Sequence, residues 1–518
     1  MTGSTTVDGT LTANAVGGSY TTNQVFPVLS STEPLTGTFT LNTTGSFGAA
    51  VLSLQYSPHE VFLVINAGGA APPAWSAAPG TSDWNTAANW TTGTVPTAAD
   101  IAQFNTSTTT TIDIRQLGTQ VGGLQFNTGA PAYIFNITGT AGVASSLIVS
   151  GSGVADISGN APTFVVSGVA GALGTLQFTN SSTPDDAVIT TNAFGRTIFS
   201  DNSTGALARF ITNAGGVVDF SGTSGPSGNN RITAGSIEGA GTYNLGGNLL
   251  VVGLNGLSTT VSGTINDGGA SGGSGASLLK VGAGTLILSG DNTYTGLTAV
   301  LAGTLQLGDG GTSGSIIGNV FNHTTLAVNR SDTYTYAGSI IGDGALVQTG
   351  PGTTILTGNS LYFGGTTISA GTLQLGNGGT SGSIVGDVVD NGIFAINRSD
   401  TYSFGGAISG GGAVVQMGPG TTILTGTNSY SGGTAINAGV LAVAADANLG
   451  AATGGLAFNS GTLQFLSGFT TARAVTLNAG GGIIDTNGNN AVLAGTIAGG
   501  GGLSKIGAGK LTLTGVST

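Results

Sequence analysis

Cysteine is absent from this chain of 518 residues, and charged side chains make up only 6% of it. Without cysteine, the chain can form neither disulfide bonds nor thiolate metal sites, and it has no cysteine nucleophile. Ten Lys and Arg residues stand against 22 Asp and Glu residues, so the net charge is −12. No basic patch is available to neutralise phosphates, which excludes nucleic acid and anionic membranes as expected partners.

The chain also lacks an apolar run of about 20 residues, the length that a membrane-spanning helix needs. Residues 1–4 show neither the basic start nor the apolar core of a signal peptide. We therefore expect no direct membrane insertion by this segment. We interpret the segment as a piece of a longer chain, and its secretion route stays open.

Glycine is what the chain has in excess, with 96 residues. It does not recur at every third position, which excludes collagen. A hydrophobic share of 39% is enough to bury a core, which excludes a disordered chain. Short runs of β-branched and apolar residues alternate with Gly, Asn and Ser, and no window has a helical period. This pattern predicts an all-β fold with almost no helix.

One motif organises the second half of the chain. GPGTTILTG occurs at 350–358 and again at 418–426, and looser copies occupy 282–290 and 507–515. The first three copies begin at 282, 350 and 418 and are therefore equally spaced, whereas the step to the fourth copy is longer. Between 308–358 and 376–426, about two thirds of the aligned residues are identical. A fixed period of this kind is typical of repeat architectures.

The repeat predicts stacked coils of short strands. Each 68-residue repeat divides into three coils of about 22–23 residues, each with three strands. Within GTLQL at 303–307, Leu305 and Leu307 should point inwards and Gln306 outwards. The motif strands should bury the aligned pairs Leu286/Leu288, Thr354/Leu356, Thr422/Leu424 and Leu511/Leu513. A parallel β-solenoid explains this better than a string of β-sandwiches, which need no fixed period.

These motifs resemble a known family. GAGTLILSGDNTYTG at 282–296, GPGTTILTGTNSYSGG at 418–433 and the following GTLQLG are similar to the passenger-associated transport repeat of bacterial autotransporters. The resemblance implies a right-handed parallel β-helix that is exported across the outer membrane. The stretch with Trp75, Trp84 and Trp90 is similar to segments that begin such passengers, and residues 1–66 look like the last rungs of one.

Composition and repeats together suggest four regions. Residues 1–66 form a β-rich, cap-like segment, and 67–80 are a Pro- and Ala-rich linker. Residues 81–280 form a solenoid with irregular coils. Residues 281–518 form a solenoid with the 68-residue repeat and stop in mid-repeat.

The three tryptophans leave two interpretations open. They lie within sixteen residues, and they form either an aromatic plug over the open solenoid end or a platform on which sugars stack. Whether the cluster is buried decides between the two, and the sequence alone does not say.

The sequence offers few residues that could together form a catalytic site. The two histidines are His59, beside Glu60, and His323, whose counterpart in the next repeat is Asn391. No third group orients either histidine, so we interpret both as turn residues. Asp185 and Asp186 are the only adjacent acidic pair. They could share a site only if they lie in a turn, since neighbours on a strand point to opposite faces.

Two further motifs have a structural and a functional interpretation. Asn329–Asp332 (NRSD) recurs at Asn397–Asp400. The motif is either a surface ion pair or a periodic ligand contact. GSGVAD at 151–156 is a poor match to calcium-binding repeats. We therefore predict no catalytic, cofactor or metal residues, and the ligand-binding residues stay unknown.

The sequence thus favours a non-enzymatic extracellular passenger on the bacterial surface, acting as a rod, stalk or adhesin. Its expected partners are cell-surface glycans or matrix, or copies of itself through the solenoid ends. Two alternatives stay open: a self-assembling filament protein, and a polysaccharide-degrading β-helix enzyme.

Overall fold

The computed structural model describes residues 5–15, 24–31, 35–47, 50–56, 60–66 and 71–516. The fold is a parallel β-solenoid, as predicted. Within these ranges only two short 3-10 turns are helical, Ala87–Asn89 and Asp446–Leu449. The chain divides into two units, Met1–Gly284 with Asn292–Gly296, and Thr285–Asp291 with Leu297–Thr518.

The first unit begins with a small β-rich segment. Its strands are β1 (Thr5–Val7), β2 (Thr10–Asn14), β3 (Gln24–Ser30), β4 (Leu35–Gly37), β5 (Thr40–Thr44), β6 (Val51–Tyr56) and β7 (Glu60–Asn66). β1 pairs with β4 and β2 with β5 in parallel, whereas β3, β7 and β6 form an antiparallel sheet. Phe62 and Val64 of β7 share a buried cluster with Ile101 and Ala155 of the coils that follow.

The coils of the first unit build two parallel sheets. Sheet A contains β8 (Ile101–Phe104), β10 (Thr119–Phe126), β12 (Ser145–Asp156), β14 (Gly174–Phe178), β16 (Gly195–Asp201), β18 (Val217–Thr223), β20 (Thr242–Asn244) and β23 (Thr264–Asn266). Sheet B contains β9 (Thr111–Ile114), β11 (Ile134–Thr138), β13 (Thr163–Ser167), β15 (Val188–Thr191), β17 (Gly205–Thr212), β19 (Arg231–Glu238), β21 (Leu249–Val252) and β24 (Ser277–Lys280). The short strand β22 (Thr259–Val261) lies between β21 and β23 in the chain.

The second unit has shorter strands in five sheets. Sheet C contains β26 (Thr298–Val300), β28 (Val320–Asn322), β31 (Ile340–Gly342) and β34 (Leu361–Tyr362). Sheet D contains β25 (Thr285–Leu288), β27 (Thr304–Leu307), β29 (Thr325–Val328), β32 (Ala345–Gln348), β35 (Thr366–Ile368), β37 (Val388–Asp390) and β40 (Ile408–Ser409). Sheet E contains β30 (Thr333–Tyr336), β33 (Thr353–Leu356), β36 (Thr372–Leu375), β38 (Ile393–Ile396), β41 (Ala413–Gln416), β43 (Thr434–Ile436), β45 (Leu456–Phe458), β48 (Val475–Leu477) and β51 (Ile497–Gly499). Sheet F contains β39 (Thr401–Phe404), β42 (Thr421–Leu424), β44 (Val440–Val443), β46 (Thr462–Phe465), β49 (Gly482–Asp485) and β52 (Leu503–Ile506), and sheet G contains β47 (Thr470–Thr471), β50 (Ala491–Leu493) and β53 (Leu511–Leu513).

Alternation along each strand places the core inside the coils. Leu305 and Leu307 are buried and Gln306 is partly exposed, as the period of two predicts. The inward pairs of the first three motif strands are also buried as predicted. In the fourth copy the prediction is wrong, because Leu511 is only half-buried and Leu513 is 48% exposed. β53 pairs with β50 alone, and so it gains burial from one neighbouring coil.

The coils are shorter than predicted. In sheet D, successive register partners are Thr285, Thr304, Thr325 and Ala345. One coil therefore takes about 20 residues, near the short end of the range for solenoid repeats, and the longer coil length expected from the sequence is wrong. Corners can be tight because many of them use glycine with positive φ, as at Gly303 and Gly371.

Three such coils do not use up one 68-residue repeat. The few residues left over carry the chain from β32 in sheet D to β33 in sheet E, which is the next face of the same coil. The four motif strands β25, β33, β42 and β53 accordingly lie in four different sheets, D, E, F and G. Each sequence repeat thus contains three full coils and one additional strand face. Equivalent residues of successive repeats therefore lie on successive faces of the solenoid. The last step, from 418 to 507, is longer by about one further coil and leaves this advance unchanged.

A polar side chain closes the turn of each motif copy, and it is buried in the first three. Gln348 donates from Nε2 to the carbonyls of Gly350 (2.9 Å) and Gly352 (3.3 Å), and its Oε1 accepts from Thr354 Oγ1 (2.6 Å). Gln416 and Thr422 repeat this arrangement. The other two copies have Lys280 and Lys505, which donate to the first turn glycine, and Leu286 and Leu511 replace the threonine. Lysine has no acceptor to satisfy, so it needs no threonine partner.

This covariation predicts a measurable coupling. Thr354→Val should cost about 1–3 kcal/mol, because it leaves the buried Gln348 Oε1 without a donor. In a Gln348→Lys background the same substitution should cost less, giving a coupling of about 0.5–3 kcal/mol in a double-mutant cycle measured by denaturant unfolding. Strictly additive effects would contradict this account of the turn.

Candidate functional site

Sheet C carries an apolar strip on its outer face. The register places Ala299, Phe321, Ile341 and Leu361 side by side on four successive coils. The next outward position on each of these coils is Leu301, His323, Asp343 and Phe363. We call Leu301, Phe321, Ile341, Leu361 and Phe363 the apolar ladder.

The ladder side chains face solvent. Phe363 is 64% exposed and Leu361 50% exposed, whereas Tyr362 between them is fully buried. Phe321 stacks edge-to-face on His323, with ring centroids 4.6 Å apart. His323 Nδ1 lies 3.7 Å from an oxygen of Asp343 on the next coil, so a polar pair borders the ladder. His323 occupies the bend after β28, as predicted for a turn residue.

The second repeat provides an internal comparison. Its inward residues Val388, Ile408 and Tyr430 are identical to Val320, Ile340 and Tyr362 of the first. Its outward residues differ, and polar side chains replace most of the ladder: Ser369 for Leu301, Val389 for Phe321, Ser409 for Ile341, Ser429 for Leu361 and Ser431 for Phe363. The fold therefore tolerates polar residues here. A contiguous exposed apolar patch that the fold does not require is typical of a contact surface.

The two NRSD motifs have a structural role that sequence reasoning missed. Arg330 is buried, with its side chain 8% exposed. It donates to both oxygens of Asp332 (2.9 and 2.8 Å), to Gly314 O (3.0 Å) and to Thr312 O (2.5 Å). Its guanidinium also lies 4.9 Å from the ring centre of Tyr334. The ion pair expected for this motif is present, but its arginine is buried and does not lie on the surface, because it holds an excursion of the chain, 308–314, from inside the corner.

Arg398 forms the same arrangement one repeat later. It binds Asp400, Gly382 O (2.8 Å) and Thr380 O (2.5 Å), and it lies over the Tyr402 ring. In both repeats the hydrogen bonds from the arginine hold the pKa of the aspartate below its usual range. Arg330 lies between strands of sheets D and E, and Arg398 lies between strands of sheets E and F. The motifs thus point to different corners and do not form the single line that a periodic ligand contact would need.

A third corner arginine, Arg473, has no NRSD signature. Its side chain is 1% exposed and binds Asp446 through Nε (2.9 Å) and Nη2 (3.2 Å). It also donates to the carbonyls of Gly450 (2.7 Å), Ala451 (2.5 Å) and Gly454 (3.0 Å). Asp446 lies more than one coil earlier in the sequence, and this separation hides the pair from motif analysis.

The tryptophan cluster is buried, which answers the question that the sequence left open. Trp75, Trp84 and Trp90 are each at most 2% exposed and pack edge-to-face, with centroids 4.8–5.2 Å apart. Trp84 and Trp90 continue onto Phe104. Single bridges Ala74–Gln103 and Asp83–Asp113 align this segment with β8 and β9, the outermost strands of sheets A and B. The cluster therefore plugs the first coil, and the sugar-stacking platform is wrong.

The candidate acidic residues are used within the fold. Asp185 and Asp186 lie in a turn, where Asp185 is 3% exposed and accepts the backbone N–H of Asp156 at 3.0 Å. Asp156, at the end of GSGVAD, is buried and accepts from the backbone N–H and hydroxyl of Ser158. His59 lies outside the described residues, and so does the side chain of Glu60.

No three His, Asp or Glu side chains in the described ranges are grouped so that they could hold a metal ion. Nor does this part of the chain contain a helix long and apolar enough to cross a membrane.

Comparison with known proteins supports the motif analysis. The passenger-associated-transport-repeat family matches residues 278–307, 346–375, 414–443 and 503–518. The adhesin BmaC autotransporter of Brucella suis biovar 1 (strain 1330) is 37% identical over an alignment of 164 residues, and the match covers 27% of this chain and 5% of that protein. The chain thus spans about a twentieth of the length of this curated relative. The resemblance predicted from the motifs is confirmed, and the chain carries the passenger-associated transport repeats of an autotransporter passenger domain.

Proposed function

We propose that this chain is an adhesive, non-enzymatic part of an extracellular autotransporter passenger, and that the apolar ladder is its contact surface. The solenoid core provides a stiff support, because every coil pairs in register with its neighbours. The ladder is the observation that carries the proposal. It exposes apolar side chains where the sister repeat shows that serine is compatible with the fold.

Two further points support an adhesive role. The curated relative is named an adhesin, and passengers of this type are secreted to the cell surface. The acidic residues best placed by sequence for polysaccharide cleavage, Asp185 and Asp186, lie in a turn in which Asp185 binds the backbone of the preceding coil. A catalytic carboxylate must instead reach the bond that it cleaves.

The adhesive role is tested with chain-coated beads on a panel of mammalian cells, matrix proteins and glycans. Leu361→Ser with Phe363→Ser should reduce bead retention about tenfold or more, because exposed aromatic and aliphatic anchors at the centre of a contact contribute most of its energy. The matched control is Val389→Ser, which removes an outward apolar residue that is 44% exposed on sheet D. Equal retention of beads with the wild type, the double variant and the Val389→Ser control would reject the ladder as the adhesive surface.

The non-enzymatic part has its own test. Incubation with a broad panel of polysaccharides should release no soluble sugar. Release that is lost on Asp185→Asn or Asp186→Asn would show that the chain is a β-helix enzyme.

A further inference from the structure

We infer that the first unit carries a binding site of its own, in which Phe194 and Arg196 bind a sugar unit that bears a carboxylate. The site lies in the turn that leads from β15 of sheet B into β16 of sheet A. It is separate from the apolar ladder, and its ligand is therefore separate from the partner of the ladder.

The turn of this site has a sister on the next coil. TNAFGR at 191–196 and TNAGGV at 212–217 differ only in that Gly215 replaces Phe194 and Val217 replaces Arg196. The register pairs Arg196 with Val217, and the backbone N–H of Phe194 donates to the carbonyl of Gly215 at 3.1 Å. The two turns therefore lie directly against each other. The sister turn shows that the fold requires neither the phenyl ring nor the guanidinium.

Phe194 has a backbone conformation that suits glycine. Its φ is 58°, and Gly215 has a φ of 77° at the equivalent position. This left-handed conformation is costly for a bulky residue, because Cβ crowds the following carbonyl oxygen. Burial of the ring offsets little of that cost, since Phe194 is 46% exposed. Strain that packing does not explain is typical of ligand-binding positions.

Arg196 offers a positive charge that the fold does not use. Its side chain is exposed, and it has no ion-pair partner among the described residues. This turn and the turns on both sides of it lie within 157–184, 187–200 and 202–218, which contain no Asp or Glu. On a chain with a net charge of −12, an anion can therefore approach this turn without meeting a carboxylate there.

Two asparagine amides lie beside the ring and the guanidinium. Asn213 Nδ2 donates to Asn192 Oδ1 at 2.7 Å, which links the two turns. This bond leaves the Nδ2 group of Asn192 as a donor and the Oδ1 atom of Asn213 as an acceptor for a ligand. A donor beside an acceptor matches a hydroxyl group, which forms hydrogen bonds of both kinds.

These groups together define the chemical class of the ligand. A guanidinium forms paired hydrogen bonds with a carboxylate. A phenyl ring presents a flat apolar surface on which the apolar face of a sugar ring can stack. A neutral sugar would not use the arginine, and a fatty acid would not use the amides. A sialic or uronic acid unit uses all of them.

Saturation-transfer difference NMR on the full chain tests this assignment. The method detects a Kd of about 1 mM, the weak affinity expected from one exposed ion pair and one ring. The probes are sialyllactose, trigalacturonate, a sulfated disaccharide and neutral lactose. We expect transfer to sialyllactose or trigalacturonate and none to lactose. Transfer to neither carboxylate probe, to the sulfated probe alone, or equally to lactose would overturn the inference.

A double variant tests the site while it keeps the fold. Phe194→Gly with Arg196→Val gives 191–196 the sequence of the sister turn, so the denaturant midpoint of unfolding should stay close to that of the wild type. Binding of the carboxylate probe should weaken about tenfold or more. Arg196→Lys keeps the charge but loses the paired hydrogen bonds, and it should bind several-fold more weakly than the wild type.

Two matched controls lie elsewhere on the first unit. Leu117→Ala removes an apolar side chain that is 73% exposed on another turn from sheet B to sheet A, and Arg231→Gln removes another exposed arginine. Both should bind the probe like the wild type. Binding that survives the double variant, or that the controls lose equally, would reject the site.

The ladder variant shows whether the two surfaces are independent. Leu361→Ser with Phe363→Ser should bind the carboxylate probe like the wild type, whatever it does to bead retention on cells. Loss of probe binding in this variant would overturn a separate site in the first unit.

Discussion

Arg473→Gln is expected to cost about 3–5 kcal/mol of unfolding free energy, the largest effect of any single substitution proposed for this chain. The guanidinium is buried and links one carboxylate and four backbone carbonyls of the 446–454 segment. Glutamine keeps two donors at most and loses the charge, so the carbonyls and Asp446 would lose their partners while remaining in the corner. The free energy is measured by guanidinium denaturation.

The damage should be local at first. Neighbouring coils interact only with each other in a solenoid, so loss of one corner releases the segment that it holds before the whole unit unfolds. Amide hydrogen exchange should therefore accelerate within 446–454. Arg196→Gln is the matched control, since Arg196 is exposed on β16, and it should leave both measurements unchanged. An Arg473 variant with wild-type exchange in this segment would show that the corner does not depend on the arginine.

Asp390→Asn is expected to stabilise the chain by about 2–3 kcal/mol at pH 8 and by little at pH 4. Asp390 is fully buried, and its Oδ2 has no hydrogen-bond partner. Burial raises the pKa of this carboxyl from 3.8 to about 6. The equivalent residue one repeat earlier is Asn322, whose amide donates to the carbonyl of Ala345 at 2.9 Å. The Asp390→Asn amide would reach the equivalent carbonyl of Ala413.

The direction with pH follows from the raised pKa. Below pH 3.8 the carboxyl is neutral in both the folded and the unfolded chain, and ionisation costs nothing. Between pH 3.8 and about 6 the unfolded chain releases its proton more readily, so folding stability falls as pH rises. Above pH 6 the loss is complete. Denaturant unfolding from pH 4 to pH 8 should show this slope in the wild type and a shallower one in Asp390→Asn, and equal slopes would disprove the assignment.

The fold was predictable because it depends on periodic features. The alternation in GTLQL and the near-identical motif copies determine which side chains point inwards, and these features alone indicate stacked parallel coils. The coil length was not predictable from the period, since a repeat can contain a whole number of coils or end on another face. The handedness implied by the resemblance stays a prediction.

The candidate site was harder to predict for a physical reason. Phe363 and Leu361 are ordinary apolar residues in sequence, and nothing distinguishes an outward from an inward residue in a strand as short as β34. A comparison of Leu361 with Ser429, and of Tyr362 with the identical Tyr430, could have suggested which positions face outwards. The corner arginines depend on partners such as Asp446 that only the folded chain brings close.

Because each repeat advances the chain by one face, the length of the solenoid and the direction in which its later surfaces face can change independently. Insertion of a single coil of about 20 residues would lengthen the solenoid and leave every later residue facing the same way. Duplication of a whole 68-residue repeat would instead turn all later surfaces by a third of a revolution about the solenoid axis. A gene that grows by such duplications therefore distributes its copies around the fibre, and each new copy meets different surroundings. Its outward residues can then diverge, as Ser429 and Ser431 have from Leu361 and Phe363, while the inward residues stay the same.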